Sequence, residues 1–319
     1  MLLYAETILI FSFNYSFFNK IVIILTRWNI SAGTIFKNEY GTSETLCNRI
    51  VDIKNNMKFI SVHVPNHLKP LNENQFGYYL AGLIDGDGHF STKQQLVIAF
   101  HYLDISLAYY IKEKLGYGSV TKIKDKNAFI LVLAAKKGLE KVITLINGKL
   151  RTEVKMEQIN KNILNHSSFL EFSKNTKFQL DTSIDLENHW LAGFSDADAS
   201  FQIKLLKRIN RLEVRVNFQI DQKRDTLLLL IKDYLGGNIG YRQSQDTYYY
   251  GSTSFGSAKR VITYFDKFHL LSSKYINYLK WRKAYLIIKN RGHLTDEGVK
   301  KIRKLKDSMN LGNKQSTTI

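Results

Sequence analysis

A chain of 319 residues with 44% hydrophobic side chains has room for two ordinary domains and is too apolar to be disordered throughout. Its 46 Lys and Arg against 28 Asp and Glu leave a formal charge of +18, which favours a polyanionic partner, because neutralised phosphates release their counterions. The single cysteine, Cys47, excludes an internal disulfide and a thiolate zinc cluster, so a metal would sit on oxygen ligands, Mg²⁺ rather than zinc.

In chain order, residues 1–73 read as an N-terminal extension. Thr7–Leu25 is apolar enough to suggest a membrane span, but Asn14, Asn19 and Lys20 fall inside it, where hydrocarbon penalises them. The segment also lacks the Arg-rich amphipathic pattern of a transit peptide. Pro65 and Pro70 mark a linker. Pro65 also separates His63 from His67, so this pair does not share the helix face a zinc site would need. The 19 Phe and 18 Tyr against 2 Pro, with abundant Ile, Lys and Asn, point to AT-rich codons and a genome such as an organelle's.

From residue 74 the chain repeats itself. Tyr79-Leu80-Ala81-Gly82-Leu83-Ile84-Asp85-Gly86-Asp87-Gly88-His89-Phe90 is echoed by Trp190-Leu191-Ala192-Gly193-Phe194-Ser195-Asp196-Ala197-Asp198-Ala199-Ser200-Phe201. Lys141-Val142-Ile143-Thr144 is matched by Arg260-Val261-Ile262-Thr263. The first copy, 74–165, continues as a strand over Phe90–Phe100, a helix over Ile105–Leu115, strands over Ser119–Lys124 and Phe129–Ala135, and a helix over Leu139–Asn147. A polar linker, 166–186, leads to the second copy, 187–319. There Leu212, Val214, Val216, Phe218 and Ile220 alternate with polar residues, the period of a half-buried strand. A helix over Asp225–Leu235, strands over Asn238–Gln243 and Thr247–Phe255, and helices over Ala258–Phe268 and Leu294–Asn310 complete it. The expected fold is α/β, with two pseudo-symmetric αββαββα units.

The echoed segments carry the chemistry. As helices they place Gly82 and Gly86, and Gly193 and Ala197, at i and i+4 on one face, where small residues let two backbones come close. A pseudo-twofold pair would then bring Asp87 and Asp198 together at the C-terminal ends. There the helix dipole makes adjacent carboxylates costly without a cation between them. Two carboxylates and main-chain carbonyls are an oxygen site suited to Mg²⁺, or another divalent cation such as Mn²⁺.

Leu80–Gly88 resembles the signature of LAGLIDADG homing endonucleases, and Leu191–Ala199 resembles its second copy in the two-motif, monomeric, organellar intron-encoded members. Ala199 departs from the glycine that closes the first copy. The resemblance implies a double-stranded DNA endonuclease in which Asp87 and Asp198 hold the metal with the carbonyls of Gly86 and Ala197. It implies a structural place for Asp85 and Asp196, and a basic residue near the scissile phosphate at Lys274. Its first-half counterpart is Lys155 by ungapped alignment, or Lys149, which lies in a segment that also looks like the family's. Gln222 resembles a residue that orients solvent, with His101 at the equivalent place. The sheets of this family form a saddle that lies in the major groove, where polar side chains read base edges. The expected readers are Ser91, Lys93, Gln95 and Thr121 in the first half, and Gln202, Lys204, Arg215, Asn217, Gln219 and Arg242 in the second. The basic cluster Lys300, Lys301, Arg303, Lys304 and Lys306 reads as a solvated helix face. Alternatives are an RNA-binding maturase acting on its own intron RNA and a catalytically dead DNA-binding regulator. The implied setting is a mitochondrion, with no obligate protein partner.

Overall fold

Local hydrogen bonding sets where the first repeat begins to fold. The Asn72 side chain accepts from the Gln75 N–H, an orphan donor of helix α1 (Glu73–Asp87), and the Gln75 side chain accepts from the Leu71 N–H just before the cap. The structure, a computed structural model, describes residues 60–209 and 211–309, and the readings placed on residues 1–59 lie outside it. All that follows belongs to the compact unit Asn66–Ile319.

After α1 come strands β1 (Gly88–Ser91) and β2 (Gln95–His101), helix α2 (Ile105–Leu115), strands β3 (Ser119–Lys122) and β4 (Ala128–Leu133), and helix α3 (Lys136–Ile146). Helices α4 (Glu153–Ile159) and α5 (Leu170–Asn175) lead to the second repeat. That repeat contains α6 (Trp190–Asp198), β5 (Ala199–Arg208), β6 (Arg211–Gln222), α7 (Thr226–Leu235), β7 (Asn238–Arg242), β8 (Thr247–Gly251) and α8 (Phe255–Phe265). Helices α9 (Lys274–Lys289) and α10 (Asp296–Met309) follow. Both sheets are antiparallel with the same strand order, β1-β2-β4-β3 and β5-β6-β8-β7. The expected αββαββα architecture is therefore present twice.

Of the boundaries that differ from the sequence reading, three have a plain local cause. Phe90–Phe100 is a hairpin rather than one strand, because the chain turns at Thr92–Gln94, where Gln94 takes a φ of +52°. Helix α8 starts three residues before Ala258, because Ser254 accepts from the Ser257 N–H and caps it there. Strand β8 ends at Gly251, where the chain leaves for that cap.

Each sheet buries one face against its helices. Phe90, Leu96, Ile98, Leu131 and Leu133 meet Leu107, Ile111, Val142 and Ile143 in the first half. Phe201, Phe218, Ile220 and Tyr250 meet Leu228, Ile231, Val261 and Phe265 in the second. Each large apolar side chain so buried contributes roughly 1.5–3 kcal/mol. The segment between the halves is tied down rather than free. The Arg151 guanidinium bonds the Asp181 carboxylate at 2.7 Å and the carbonyls of Ser183 and Asp185, while Phe169, Phe178 and Leu186 are buried.

Helices α1 and α6 join the halves at backbone distance. A Cβ on Gly82 would collide with the Trp190 carbonyl oxygen, and one on Gly193 with that of Tyr79. One on Gly86 would strike the Ala197 methyl. These positions admit no larger residue, which is why small residues recur at that spacing despite their cost of about 1 kcal/mol in a helix. Among the described residues, no helix is long and apolar enough to cross a membrane.

Candidate active site

The interface helices carry two acids each, and the first of each pair builds a frame. Asp85 accepts from the N–H groups of Arg151 (2.9 Å) and Thr152 (3.2 Å), from the Thr152 hydroxyl, and from the Trp190 indole N–H across the interface (2.8 Å). Asp196 repeats this with the N–H groups of Leu271 (2.7 Å) and Ser272 (3.3 Å), the Ser272 hydroxyl, and the Tyr79 hydroxyl from the other half (2.7 Å). Burial raises both carboxyl pKa values, and these hydrogen bonds to the ionised form draw them back down. Each acid thus fixes the loop that begins the next basic helix, α4 or α9.

Asp87 and Asp198 then emerge together where α1 and α6 end, with an Asp198 carboxylate oxygen 3.1 Å from the position a Gly86 Cβ would take. Desolvation by the surrounding protein pushes the Asp87 pKa up to about 6 although part of the residue is exposed; Asp198 adds to the rise, and Lys274 and Lys155 lower it. Burial also raises Asp198, against the Gln222 hydrogen bond and the same two lysines. The Gln222 amide donates to the Asp198 carboxylate at 2.6 Å. Ala199 caps α6 in extended conformation at φ −89°, much as Gly88 caps α1 at −76°, so the missing second glycine costs no backbone strain.

Two lysines converge on the helix ends. Lys274 donates to the carbonyls of Ala197 (2.6 Å) and Ser195 (3.2 Å), and Lys155 donates to that of Gly88 (2.5 Å). Burial lowers both pKa values, and the neighbouring aspartates oppose the shift. Lys149 is elsewhere: it donates to the Leu145 carbonyl at the end of α3 and lies over the Tyr78 ring. His101 does not mirror Gln222. Its Nδ1 faces the Leu103 N–H of its own loop at 3.5 Å, and strand register sets Phe100, not His101, at the place of Gln222.

The donor set fits a hard divalent cation. The carboxylates of Asp87 and Asp198 and the Ala197 carbonyl all draw on one cation, the ammonium of Lys274. Among the described residues no cluster of three or more His, Cys, Asp or Glu offers an alternative metal site.

Sequence reasoning missed two braces on the Lys274 helix. The Asp104 carboxylate, in the first half, accepts from the Ser273 N–H at 2.6 Å, while the His67 ring bonds the Leu270 carbonyl at 2.8 Å and packs against Tyr275. Asp104 precedes α2 and signals a helix cap in the sequence, but it makes no side-chain cap bond and is spent across the interface.

Of the expected base readers, Ser91, Gln95, Thr121, Gln202, Lys204, Arg215 and Arg242 lie on the sheet faces opposite the core, and Lys93 lies in the β1–β2 turn. Asn217 and Gln219 share that face but are 3% and 8% exposed. They form a chain in which Asn217 donates to Gln202 and Gln219, and Gln219 to Asp221, which also takes Arg242 at 2.7 Å. Arg215 is paired with Glu213. Alternation identifies the face; it does not reveal this depth or pairing.

A family model described as LAGLIDADG endonuclease matches residues 191–285. The chain is 64% identical to an uncharacterized cox1 intron-2 37.2 kDa protein of Schizosaccharomyces pombe, over 89% of this chain and 86% of that one. It is 30% identical to the intron-encoded DNA endonuclease aI3 of Saccharomyces cerevisiae, over 70% of this chain but only 66% of that protein's length. Among solved structures it resembles I-SmaMI bound to uncleaved DNA target in the presence of calcium ions, with a TM-score of 0.57, 25% identity, and coverage of 73% of this chain and 98% of that one.

Proposed function

The chain belongs to the LAGLIDADG endonuclease family, and from that premise we propose that it is a site-specific homing endonuclease that cuts both strands of a long, asymmetric DNA duplex. The observation that carries the reading is the pairing of Asp87 and Asp198 at abutting helix ends, each end with its own lysine.

In this reading the carboxylates of Asp87 and Asp198 and the carbonyls of Gly86 and Ala197 hold a divalent cation, Mg²⁺ or Mn²⁺. Bound there, it supplies water activation and stabilisation of charge on the phosphate. Lys274 and Lys155 hold positive charge beside the scissile phosphates, one per strand. Gln222 orients water beside Asp198. The sheets lie in the major groove, where Gln202, Lys204, Arg215 and Arg242 exchange their internal partners for base edges and phosphates. The +18 charge supplies sequence-independent affinity. The protein acts as a monomer, since one chain carries both halves, and it promotes mobility of a mitochondrial intron, as its likeness to a cox1 intron protein suggests.

The test is a cleavage assay with Mg²⁺ on DNA spanning the intronless insertion site. The expected result is a double-strand cut. Absence of any cut, with tight binding to the precursor intron RNA, would replace this reading with the RNA-binding maturase.

A further inference from the structure

The two sheets turn chemically different faces away from their cores. In the second, the uncovered face carries Gln202, Lys204, Arg215, Asn217, Gln219 and Arg242, all able to make hydrogen bonds. In the first, the corresponding centre is apolar. Strand register sets Val97 directly opposite Val132 and Ala99 directly opposite Ile130, so four hydrocarbon side chains form one contiguous patch. Their alternates on the core side, Leu96, Ile98, Leu131 and Leu133, are fully buried. The two central strands are therefore apolar on both faces, with His89, Ser91, Gln95, Ser119 and Thr121 around the outer patch, in which Ala99 is exposed and Val97, Ile130 and Val132 are only half-buried.

An antiparallel sheet with one solvated face ordinarily alternates apolar with polar, and a contiguous apolar patch left open marks a surface that something covers. The occupant follows from what surrounds the patch. Thr121 lies beside Ile130 in the register, Lys93 stands at the hairpin turn, and the patch continues the face proposed to meet DNA. Valine, alanine and isoleucine side chains offer no donor or acceptor, so they cannot tell bases apart by hydrogen bonding. In the major groove the feature they can recognise is the C5-methyl group of thymine. The AT-rich codon usage implied by the composition agrees with a thymine-rich target in the same genome.

We propose that the first sheet reads its half of the site by packing thymine methyl groups on Val97, Ala99, Ile130 and Val132, while the second sheet reads its half by hydrogen bonds. This rests on the nuclease reading above and adds the base chemistry of one half-site. Specificity is then divided between the halves by mechanism as well as by position.

The experiment uses the full chain. Randomised duplexes are incubated with the protein and Mg²⁺, and the cleaved sequences are read. Ala99→Gln, at an exposed position, identifies the half-site under the first sheet as the one whose preference moves. Thymines of that half are then replaced by uracils in the selected duplex, which removes the methyl groups and keeps base pairing. Binding should weaken roughly fourfold for each buried methyl removed. The same replacement in the other half should leave affinity almost unchanged. A site that is cut but contains no thymine in the first half, or tolerates uracil equally in both halves, would overturn the proposal and leave the nuclease reading standing. Failure to enrich any cleaved duplex would remove both.

Discussion

Asp85 and Asp196 make the same set of bonds in the two halves: two backbone N–H groups, one hydroxyl, and one donor from the opposite half. Away from that frame the halves part. Gln222 bonds Asp198, whereas strand register puts the apolar Phe100 at its place in the first half and His101 turns to its own loop. Lys274 is braced by Asp104 from the first half, while no reciprocal bond from Asp225 to the α4 helix is recorded among the described residues. One sheet face is a polar chain and the other an apolar patch. The duplication has held constant what keeps the helices together and fixes the loops, and it has let the surfaces around each carboxylate diverge. That is the pattern expected if the frame serves geometry in both halves and the surroundings serve two different half-sites.

The strongest way to break this comparison is at the shared interface. Gly82→Val and Gly193→Val each drive a branched side chain into a carbonyl of the opposite helix, and each should cost more than about 3 kcal/mol in a urea titration. Gly256→Ala, where nothing lies in the way, is the control and should be neutral or slightly stabilising. If Gly82→Val folds normally, the close helix pair is wrong.

The lysines sharpen the comparison next. Lys155→Met should slow cleavage by about 10²-fold or more, while Lys149→Met should leave the rate within about twofold. Equal losses would return Lys149 to the centre. Gln222→Ala should then reduce the rate about 10–100-fold, and the excess product should be nicked rather than fully cut. His101→Ala should change neither rate nor product. Matching effects at the two positions would mean that the halves are more alike than their side chains indicate.

The smallest effect concerns stability in the absence of metal. Asp87 is protonated up to about pH 6 in the folded protein but only to the ordinary 3.8 when unfolded. The folded form therefore binds the proton more tightly, and stability contributed by the neutral carboxyl is lost as pH rises from about 4 to about 6. Asp87→Asn should raise the melting temperature of the metal-free protein near neutral pH, and the gain should disappear below about pH 4. A gain that persists in acid would mean that charge is not its cause.

The interface and the pairing of acids were legible in the sequence because backbone contact dictates residue type. Only Gly, or Ala at position 197, fits between α1 and α6, so the contact leaves its mark as spacing. The choice between Lys149 and Lys155 was not legible, since both lie within a few residues of the loop that Asp85 anchors. The loop partners favour Lys155. Arg151 and Thr152 correspond to Leu271 and Ser272, which puts Lys155 one position later in its helix than Lys274 and brings it to the Gly88 carbonyl rather than that of Gly86. Asn217 and Gln219 were assigned the right face but not the right depth, because a period of two carries no information about what neighbouring side chains cover. Only tertiary placement reveals that Asp104, which precedes one helix, serves another.

The most direct test of the central claim is to measure cleavage and binding of one target with Asp87→Asn and Asp198→Asn proteins. If the paired carboxylates carry the chemistry, each variant should bind the site with nearly the affinity of the parent and produce no double-strand cut. Cleavage that survives either substitution, or binding lost along with it, would contradict that claim and make the acids part of the frame.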